Sequence, residues 1–195
     1  MTFQAFGSTI ASKRLILIPY SKSNVKLFYE IKQKDRNNLF EGNCNYVQQV
    51  TKYYKFKNRI VEIAKSEIGN IGGKKYWSWY GFNNRVEWCA CFVSWCAYPS
   101  GDLNISIPKF SSVDYGMQWY KNNGLWFDST YIPSPGDIIF YDWDNDSNPD
   151  HVGIVEKIQD KKIYTIEGNS NDRCQTRYYN LTSNTILGYG KLIKK

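Results

Sequence analysis

The chain has 195 residues, of which 42% are hydrophobic and 17% aromatic, so it holds enough apolar material to bury a core. No stretch approaches the roughly 18 consecutive apolar residues that a membrane-spanning helix requires. The longest aliphatic run near the start, residues 15–18, is also too short for the apolar region of a secretory signal. We therefore expect neither an integral membrane protein nor a precursor with a signal peptide, and the export route stays open.

The net charge of +7 is concentrated in the first third of the chain. Residues 1–58 contain ten Lys or Arg and three acidic residues, whereas residues 59–195 contain fifteen of each. We place a domain boundary at this change, between a basic N-terminal segment (1–58) of unknown fold and a second domain (59–195). A solvated basic face is the favoured interpretation of the segment, and an anionic wall polymer is the alternative partner. Nucleic acid is disfavoured, because no base-stacking motif interleaves its aromatic and basic residues.

The elements in chain order begin with helices. A charged helix is expected over 24–38, inside the basic segment. The second domain opens with a helix predicted over 59–70 that ends at Gly69 and presents one apolar face. That face consists of Ile60, Ile63, Ala64 and Ile68. An aromatic stretch at 75–85, KYWSWYGFNNR, is expected to form a loop.

Two further helices follow this loop. The segment 88–98, WCACFVSWCAY, is apolar nearly all round, which predicts a buried helix that ends before Pro99. A second helix is predicted over 112–123, stopped at Gly124.

After the turn residues 133–136 the pattern changes to short β-branched or aromatic runs separated by Asp, Asn, Ser and Gly. These runs predict the strands of an antiparallel sheet. The expected strands are 137–142, 151–158, 162–167, 175–181 and 186–192. Helices followed by strands define an α+β domain.

The cysteines favour one catalytic candidate. The chain contains Cys44, Cys89, Cys91, Cys96 and Cys174. An odd number excludes a fully paired disulfide framework, and the spacing together with a single histidine disfavours zinc. Cys89 stands at the start of the predicted buried helix, where free N–H groups and a partial positive charge favour a thiolate. Cys91 and Cys96 lie deeper in the helix, so Cys89 is the predicted nucleophile.

The partner of this thiol follows from counting, because His151 is the single histidine of the chain. It opens a predicted strand, and Glu167 ends the next one across a short turn, so the carboxylate could orient the imidazole. Asn169, two residues later, could hydrogen-bond to the same ring. The alternatives are a structural histidine and an exposed carboxylate at the end of a strand.

Four stretches of the second domain resemble the CHAP family, the cysteine- and histidine-dependent amidohydrolases/peptidases. They are EWCACFVSWCA (87–97), PGDIIFYDWD (135–144), DHVGIVEKI (150–158) and TIEGNS (165–170). The resemblance covers most of 59–195 in the order and spacing of the family and does not reach 1–58. It implies a papain-like α+β fold, with helices carrying the cysteine packed on an antiparallel sheet carrying the histidine.

The resemblance also implies hydrolysis of amide bonds, usually in bacterial peptidoglycan. Cys89 would be the nucleophile, His151 the base, Glu167 the acidic group that orients it, and Asn169 a supporting amide. The backbone N–H of Cys89 would hold the oxyanion, with Tyr80 as a candidate second donor.

The expected protein is thus an N-acetylmuramoyl-L-alanine amidase or an endopeptidase, lysin-like or wall-remodelling. It would act as a monomer at the cell wall, outside the cell, without a cofactor. The alternative is a catalytically inactive module that binds the wall or a polyanion, or that delivers a toxin.

Two further features stay open between a functional and a structural interpretation. Asp142, Asp144 and Asp146 resemble the start of a calcium loop, but an EF-hand would also need Gly and Glu at its sixth and twelfth positions, which this chain lacks. A solvated acidic turn is favoured over a looser Ca2+ site. The aromatic residues of the predicted loop either line a substrate groove or fill the core. They are Tyr76, Trp77, Trp79 and Tyr80.

Overall fold

A computed structural model describes residues 59–193, all of which lie in one compact unit. The predictions made for the basic segment, including the helix over 24–38, lie outside the described residues. The boundary at residue 58 therefore stays a prediction. Within 59–193, the helices are too short or too polar to cross a lipid bilayer.

The described chain contains four helices before its sheet. They are α1 (59–66), α2 (Lys74–Tyr80), α3 (Cys89–Ser100) and α4 (Val113–Asn122). Helix α1 ends three residues before Gly69, where the N–H groups of Glu67 and Ile68 donate to carbonyls three residues back rather than four. The Gly69 N–H then donates to the carbonyl of Cys174 (2.9 Å). Helix α4 agrees with its prediction, and the Ser112 Oγ accepts the N–H of Tyr115 at its start.

Helix α2 corrects the expectation of a loop over 75–85. Two of its four aromatic side chains, Tyr76 and Trp77, are buried, and Tyr76 stacks on Trp88 with ring centroids 5.3 Å apart. The Trp77 Nε1 donates to the Gly72 carbonyl (3.0 Å), which holds the start of the helix. The loop prediction is wrong here because the burial of these rings outweighs the local turn signals.

Helix α3 is buried along almost its whole length, as predicted, but it does not end before Pro99. It continues to Ser100 and is closed by Gly101, whose N–H donates to the Tyr98 carbonyl (3.2 Å). Proline removes one N–H from the helix, and in the last turn this loss is small enough for the helix to continue.

Six antiparallel strands form one sheet with the order β1-β6-β2-β3-β4-β5. They are β1 (Trp126–Asp128), β2 (Ile138–Tyr141), β3 (His151–Gln159), β4 (Lys162–Glu167), β5 (Gln175–Asn180) and β6 (Ile186–Gly190). The five predicted strands are all present, and the three-residue β1 was missed because so short a run has no readable period. The α+β class is confirmed.

The helices cover one face of the sheet, where α3 packs on β3 and β4. A second apolar cluster, which includes Ile139, Val155 and Ile163, lies separately from the helix-facing core. The arrangement brings the start of α3 to the start of β3 and the end of β4. These three ends carry the predicted catalytic residues.

Candidate active site

Cys89 is the first residue of α3, as the sequence predicts. The first hydrogen bond of the helix runs from the Phe92 N–H to the Trp88 carbonyl (2.9 Å). The N–H groups of the first turn, Cys89 included, therefore point beyond the helix without an intrahelical acceptor. Because Cys89 begins the helix, its sulfur lies at the positive end of the helix dipole. Cys89 is 6% exposed, so little water reaches it.

His151 is the first residue of β3, paired with Tyr141 of β2, and is 4% exposed. Its Nε2 lies 3.1 Å from Oε2 of Glu167, the last residue of β4. The other ring nitrogen, Nδ1, is therefore left for the hydrogen bond that the imidazole makes with the Cys89 side chain. The structure thus brings these three predicted residues together.

Opposing effects set the pKa values of this pair. Burial lowers the pKa of His151, but its hydrogen bonds with Cys89 and Glu167 and the negative charges of both raise it from 6.5 to about 9. Burial also acts to raise the pKa of Glu167, yet the hydrogen bond and the charge of His151 hold that pKa below its usual range. At neutral pH the two groups therefore form an imidazolium–carboxylate ion pair.

Three hydroxyl groups complete the surroundings of Glu167, which is 1% exposed. Its Oε1 accepts from the Thr165 Oγ1 (2.6 Å) and the Tyr141 hydroxyl (2.9 Å), and its Oε2 from the Tyr179 hydroxyl (3.3 Å). The alternative of an exposed carboxylate at the end of a strand is therefore wrong. Sequence reasoning missed all three donors, although the period of two puts Thr165 on the same face of β4 as Glu167.

Two glycines allow the close approaches on which this site depends. Gly153 of β3 lies beside Glu167, and a Cβ there would stand 2.7 Å from the Glu167 Cγ. Gly168, directly after β4, lies against α3, where a Cβ would stand 2.4 Å from the Cβ of Phe92. A side chain at either position would separate the carboxylate from the imidazole or the strand from the nucleophile helix.

Trp143 covers the imidazole on the solvent side and was not predicted as a site residue. Its ring is stacked on His151 with centroids 5.0 Å apart and an interplanar angle of 23°, while Trp143 itself is 55% exposed. The backbone N–H of Trp143 donates to the Asp150 Oδ2 (2.6 Å), which fixes the main chain that carries the ring to the residue before His151. An aromatic face over an imidazolium stabilises the positive charge.

The hydrogen bond of the Asn169 side chain runs to Glu87. The Asn169 amide donates to the Glu87 carboxylate, two residues before the nucleophile. The predicted support of the imidazole by Asn169 stays a prediction.

The aromatic residues of α2 divide into two groups. Tyr76 and Trp77 are buried, so they belong to the core and do not line a groove. Trp79 and Tyr80 are partly exposed, and Tyr80 stacks on Phe82 with centroids 5.3 Å apart. The expected role of Tyr80 as second oxyanion donor stays a prediction.

The four cysteines of residues 59–193 are all free thiols. Burial raises the pKa values of Cys91 and Cys174 to about 12 each and that of Cys96 well above its usual value. A buried thiol with so high a pKa is a poor nucleophile at neutral pH. The contact with imidazole therefore distinguishes Cys89 from these three cysteines.

The acidic loop before His151 is ordered by its own hydrogen bonds. The Asp142 carboxylate accepts the N–H groups of Asn145 (2.6 Å), Asp146 (3.3 Å) and Ser147 (2.9 Å). Carboxylate oxygens of Asp142, Asp144 and Asp146 lie within 4.8 Å of one another and are the described groups that could hold a cation. Calcium binding stays a prediction.

The second domain is similar to a known family. Residues 79–169 match the family model described as the CHAP domain. The matched range contains Cys89, His151, Glu167 and Asn169. The match confirms the resemblance to the CHAP family that the sequence motifs indicate.

Several solved structures share similarity with the chain. One is the crystal structure of Ly7917, with 17% identity over 70% of this chain and a TM-score of 0.45. Another is an NLPC/P60 family protein from Bacillus cereus, with 19% identity over 71% of this chain and a TM-score of 0.44. A third is a protein described as similar to lipoprotein, NLP/P60 family, from Staphylococcus aureus, with 17% identity over 72% of this chain and a TM-score of 0.41. The matched regions span 62%, 40% and 42% of those proteins, respectively. No curated protein matches the chain.

Proposed function

We propose that this protein is a cysteine-dependent hydrolase that cleaves an amide bond of bacterial peptidoglycan. The observation that carries the proposal is the buried hydrogen-bonded row of Cys89, His151 and Glu167 at the start of a helix. Thiol, imidazole and carboxylate in this order are the groups that nucleophilic acyl transfer requires. The CHAP domain supports peptidoglycan as the substrate class and the cell wall outside the cell as the place of action.

The first step would form a thioester. With the proton on His151, the Cys89 sulfur carries a negative charge and attacks the scissile carbonyl carbon. The carbonyl oxygen becomes an oxyanion, which the free N–H of Cys89 at the start of α3 is placed to stabilise. The tetrahedral intermediate then collapses, the carbon–nitrogen bond breaks, and Nδ1 of His151 gives its proton to the leaving amine.

The second step would release the product. His151, now neutral, accepts a proton from water, whose oxygen attacks the thioester carbonyl. The carbon–sulfur bond breaks, the carboxylic acid leaves, and the thiolate–imidazolium pair is restored. Throughout both steps Glu167 keeps the ring oriented through Nε2 and stabilises its positive charge.

Digestion of purified sacculi tests the proposal and identifies the bond. The enzyme and its Cys91→Ser variant are expected to release soluble fragments, and Cys89→Ala is expected to release none. Mass spectrometry of the fragments separates the two activities: an amidase leaves stem peptides that begin with a free L-alanine, and an endopeptidase leaves cut peptides still joined to muramic acid. Parallel digests with EDTA and with Ca2+ test the calcium prediction.

The same assay can reject the proposal. The digests are run at pH values from about 5 to 10, the range over which cysteine and histidine titrate. If the wild-type protein sediments with sacculi but releases no fragment at any of these pH values, it is the inactive wall-binding module. Release of equal amounts by Cys89→Ala would show that another group performs the chemistry.

A further inference from the structure

The loop between β4 and β5 has an uncommon backbone conformation. Three of its non-glycine residues, Asn169, Asn171 and Asp172, have φ angles of 58°, 53° and 57°. The left-handed region costs free energy for such residues, and it persists where the surroundings determine the conformation. Three of them in four positions indicate that the path of this loop is held from outside.

The linker between α1 and α2 supplies that hold. The Gly72 N–H donates to the Asp172 carbonyl (2.9 Å), and the Cys174 N–H donates to the Asn70 carbonyl (2.8 Å). With its backbone held on both sides of Arg173, the loop directs the Asp172 side chain toward the segment that precedes the nucleophile helix.

The Asp172 carboxylate makes two contacts there. Its Oδ1 accepts from the Trp88 Nε1 (3.3 Å) and from the Arg85 Nη2 (2.9 Å). Trp88 is fully buried and is the residue directly before Cys89, at the N-cap of α3. An indole N–H can only donate, so within this buried surrounding its orientation depends on the acceptor it finds.

The two contacts of Asp172 differ in how much they contribute to the position of α3. Arg85 and Asp172 expose 51% and 44% of their side chains, and an ion pair so open to solvent contributes little. The bond to the indole fixes a buried ring whose main chain leads directly into Cys89. The segment that carries Asp172 also contacts both members of the pair: Glu167 bonds to His151, and Gly168 lies against Trp88, the residue before Cys89.

We propose that Asp172 is a positioning residue, which holds the Trp88 indole and thereby sets the Cys89 sulfur at hydrogen-bonding distance from His151. This inference rests on the proposed function of the Cys89–His151 pair. One continuous segment, from Glu167 to Asp172, would then determine both sides of that pair: the orientation of the imidazole and the place of the helix start.

The test compares variants by two measurements on the full chain. One is the rate of Cys89 alkylation by iodoacetamide at pH values from about 5 to 10, spanning the titration range of thiols and imidazoles, with peptide mapping to assign the label. The other is kcat and KM for release of fragments from sacculi. Asp172→Ala and Trp88→Phe each remove one partner of the bond. Asp172→Asn keeps an acceptor oxygen, and Arg85→Ala removes the ion pairs of Arg85 with Asp172 and Glu87 but leaves the bond to the indole. Asp128→Ala is a matched control, an exposed aspartate on β1 with its own local hydrogen bonds.

Asp172→Ala and Trp88→Phe are each expected to lower kcat and the alkylation rate at neutral pH by roughly tenfold to a hundredfold, because small displacements of a nucleophile cost that much. KM should stay within about twofold, and the double variant should be no slower than either single one. Asp172→Asn, Arg85→Ala and Asp128→Ala should remain within about threefold of the wild type in both measurements.

Several outcomes overturn the inference. It is wrong if Asp172→Ala alkylates and hydrolyses at the wild-type rate, or if Arg85→Ala reproduces the loss. If Asp172→Ala does not fold, Trp88→Phe and Asp172→Asn decide, since wild-type rates in the former or a loss in the latter contradict the role. A wild-type protein that is neither alkylated at Cys89 near neutral pH nor active on sacculi contradicts the proposed function instead.

Discussion

Two buried clusters of the same kinds of side chain lie against helix α3. One contains Cys89, Glu167 and Tyr141, and the other contains Cys174, Glu67 and Tyr76. Each therefore has a thiol, a carboxylate and a phenol hydroxyl that are nearly out of contact with water, although in the first cluster the imidazole of His151 joins the thiol to the carboxylate. By composition the two clusters are closely alike, yet only one is a candidate for chemistry.

The difference lies in the cation that faces the carboxylate. In the first cluster it is His151, an imidazole whose pKa of about 9 is low enough for it to give up and regain a proton, and which also contacts the thiol. In the second it is Lys75, whose Nζ lies 2.8 and 2.7 Å from the two oxygens of Glu67, while the Cys174 thiol donates to the Tyr76 hydroxyl (3.3 Å). A buried thiol without an imidazole has a raised pKa and stays inert.

The largest effect is expected from the two thiols. Cys89→Ser should lower the hydrolysis of sacculi by at least roughly a thousandfold, because serine at this position is a far weaker nucleophile. Cys174→Ser should retain activity, since its thiol donates to the hydroxyl of Tyr76 in the core and lies in the cluster without the imidazole. Turbidity loss of a sacculus suspension measures both. Equal activity of Cys89→Ser and the wild type would remove the distinction between the clusters.

The two carboxylates should separate activity from stability. Glu167→Gln removes the charge that holds the imidazolium, so kcat is expected to fall by roughly tenfold to a thousandfold. Glu67→Gln leaves the ammonium of Lys75 without its counter-ion, which should lower the free energy of unfolding by about 1–3 kcal/mol with little change in kcat. Urea unfolding and kinetics on the same preparations check both results. A loss of activity confined to Glu67→Gln would contradict the assignment.

The pH dependence of stability should differ between the clusters. The pKa of His151 is raised from 6.5 to about 9, so its stabilising interaction is fully present below pH 6.5 and is lost as the pH rises through about 9. The free energy of unfolding should therefore fall by about 1–3 kcal/mol more in the wild type than in His151→Ala between these limits. Urea titrations at a series of pH values measure this. An identical slope in both proteins would show that the imidazolium gains nothing from folding.

The smallest effect is expected at the ring that covers the imidazole. Trp143→Ala exposes His151 to water and removes an aromatic face from its positive charge, which should lower kcat by roughly threefold to tenfold. Trp143→Phe should recover most of the activity. Tyr178→Ala, which also removes an exposed aromatic ring (62% exposed), but from β5, is the control and should be unchanged. Full activity of Trp143→Ala would show that the ring of Trp143 does not contribute to catalysis.

The comparison also shows where sequence reasoning reaches its limit. Counting identifies His151, and helix polarity selects Cys89, because both arguments are local. The place of Glu167 at the end of the strand after that of His151 made it a candidate, but no local pattern shows that Glu67 is buried as well and faces Lys75. Cys174, which is also buried, differs from Cys89 in its neighbours, because its thiol contacts the Tyr76 hydroxyl and not an imidazole.

Several positions were missed or misjudged for the same reason. The helix over Lys74–Tyr80 forms because its rings pack on α3, and turn residues around it gave the opposite indication. Trp143 covers His151 through a loop whose shape depends on backbone hydrogen bonds to aspartate. The Asn169 amide reaches Glu87, 82 positions earlier in the chain, which no motif spacing reveals.

The amino-acid order alone was sufficient for the α+β class, for the five longer strands and for the pairing of one thiol with one imidazole, because these follow from periodicity, helix polarity and a single histidine. Folding in three dimensions decided the rest: the burial of Glu167, the space left by Gly153 and Gly168, and the Asp172 contact with Trp88. Those features depend on distances between segments that are far apart along the chain, and packing alone sets such distances.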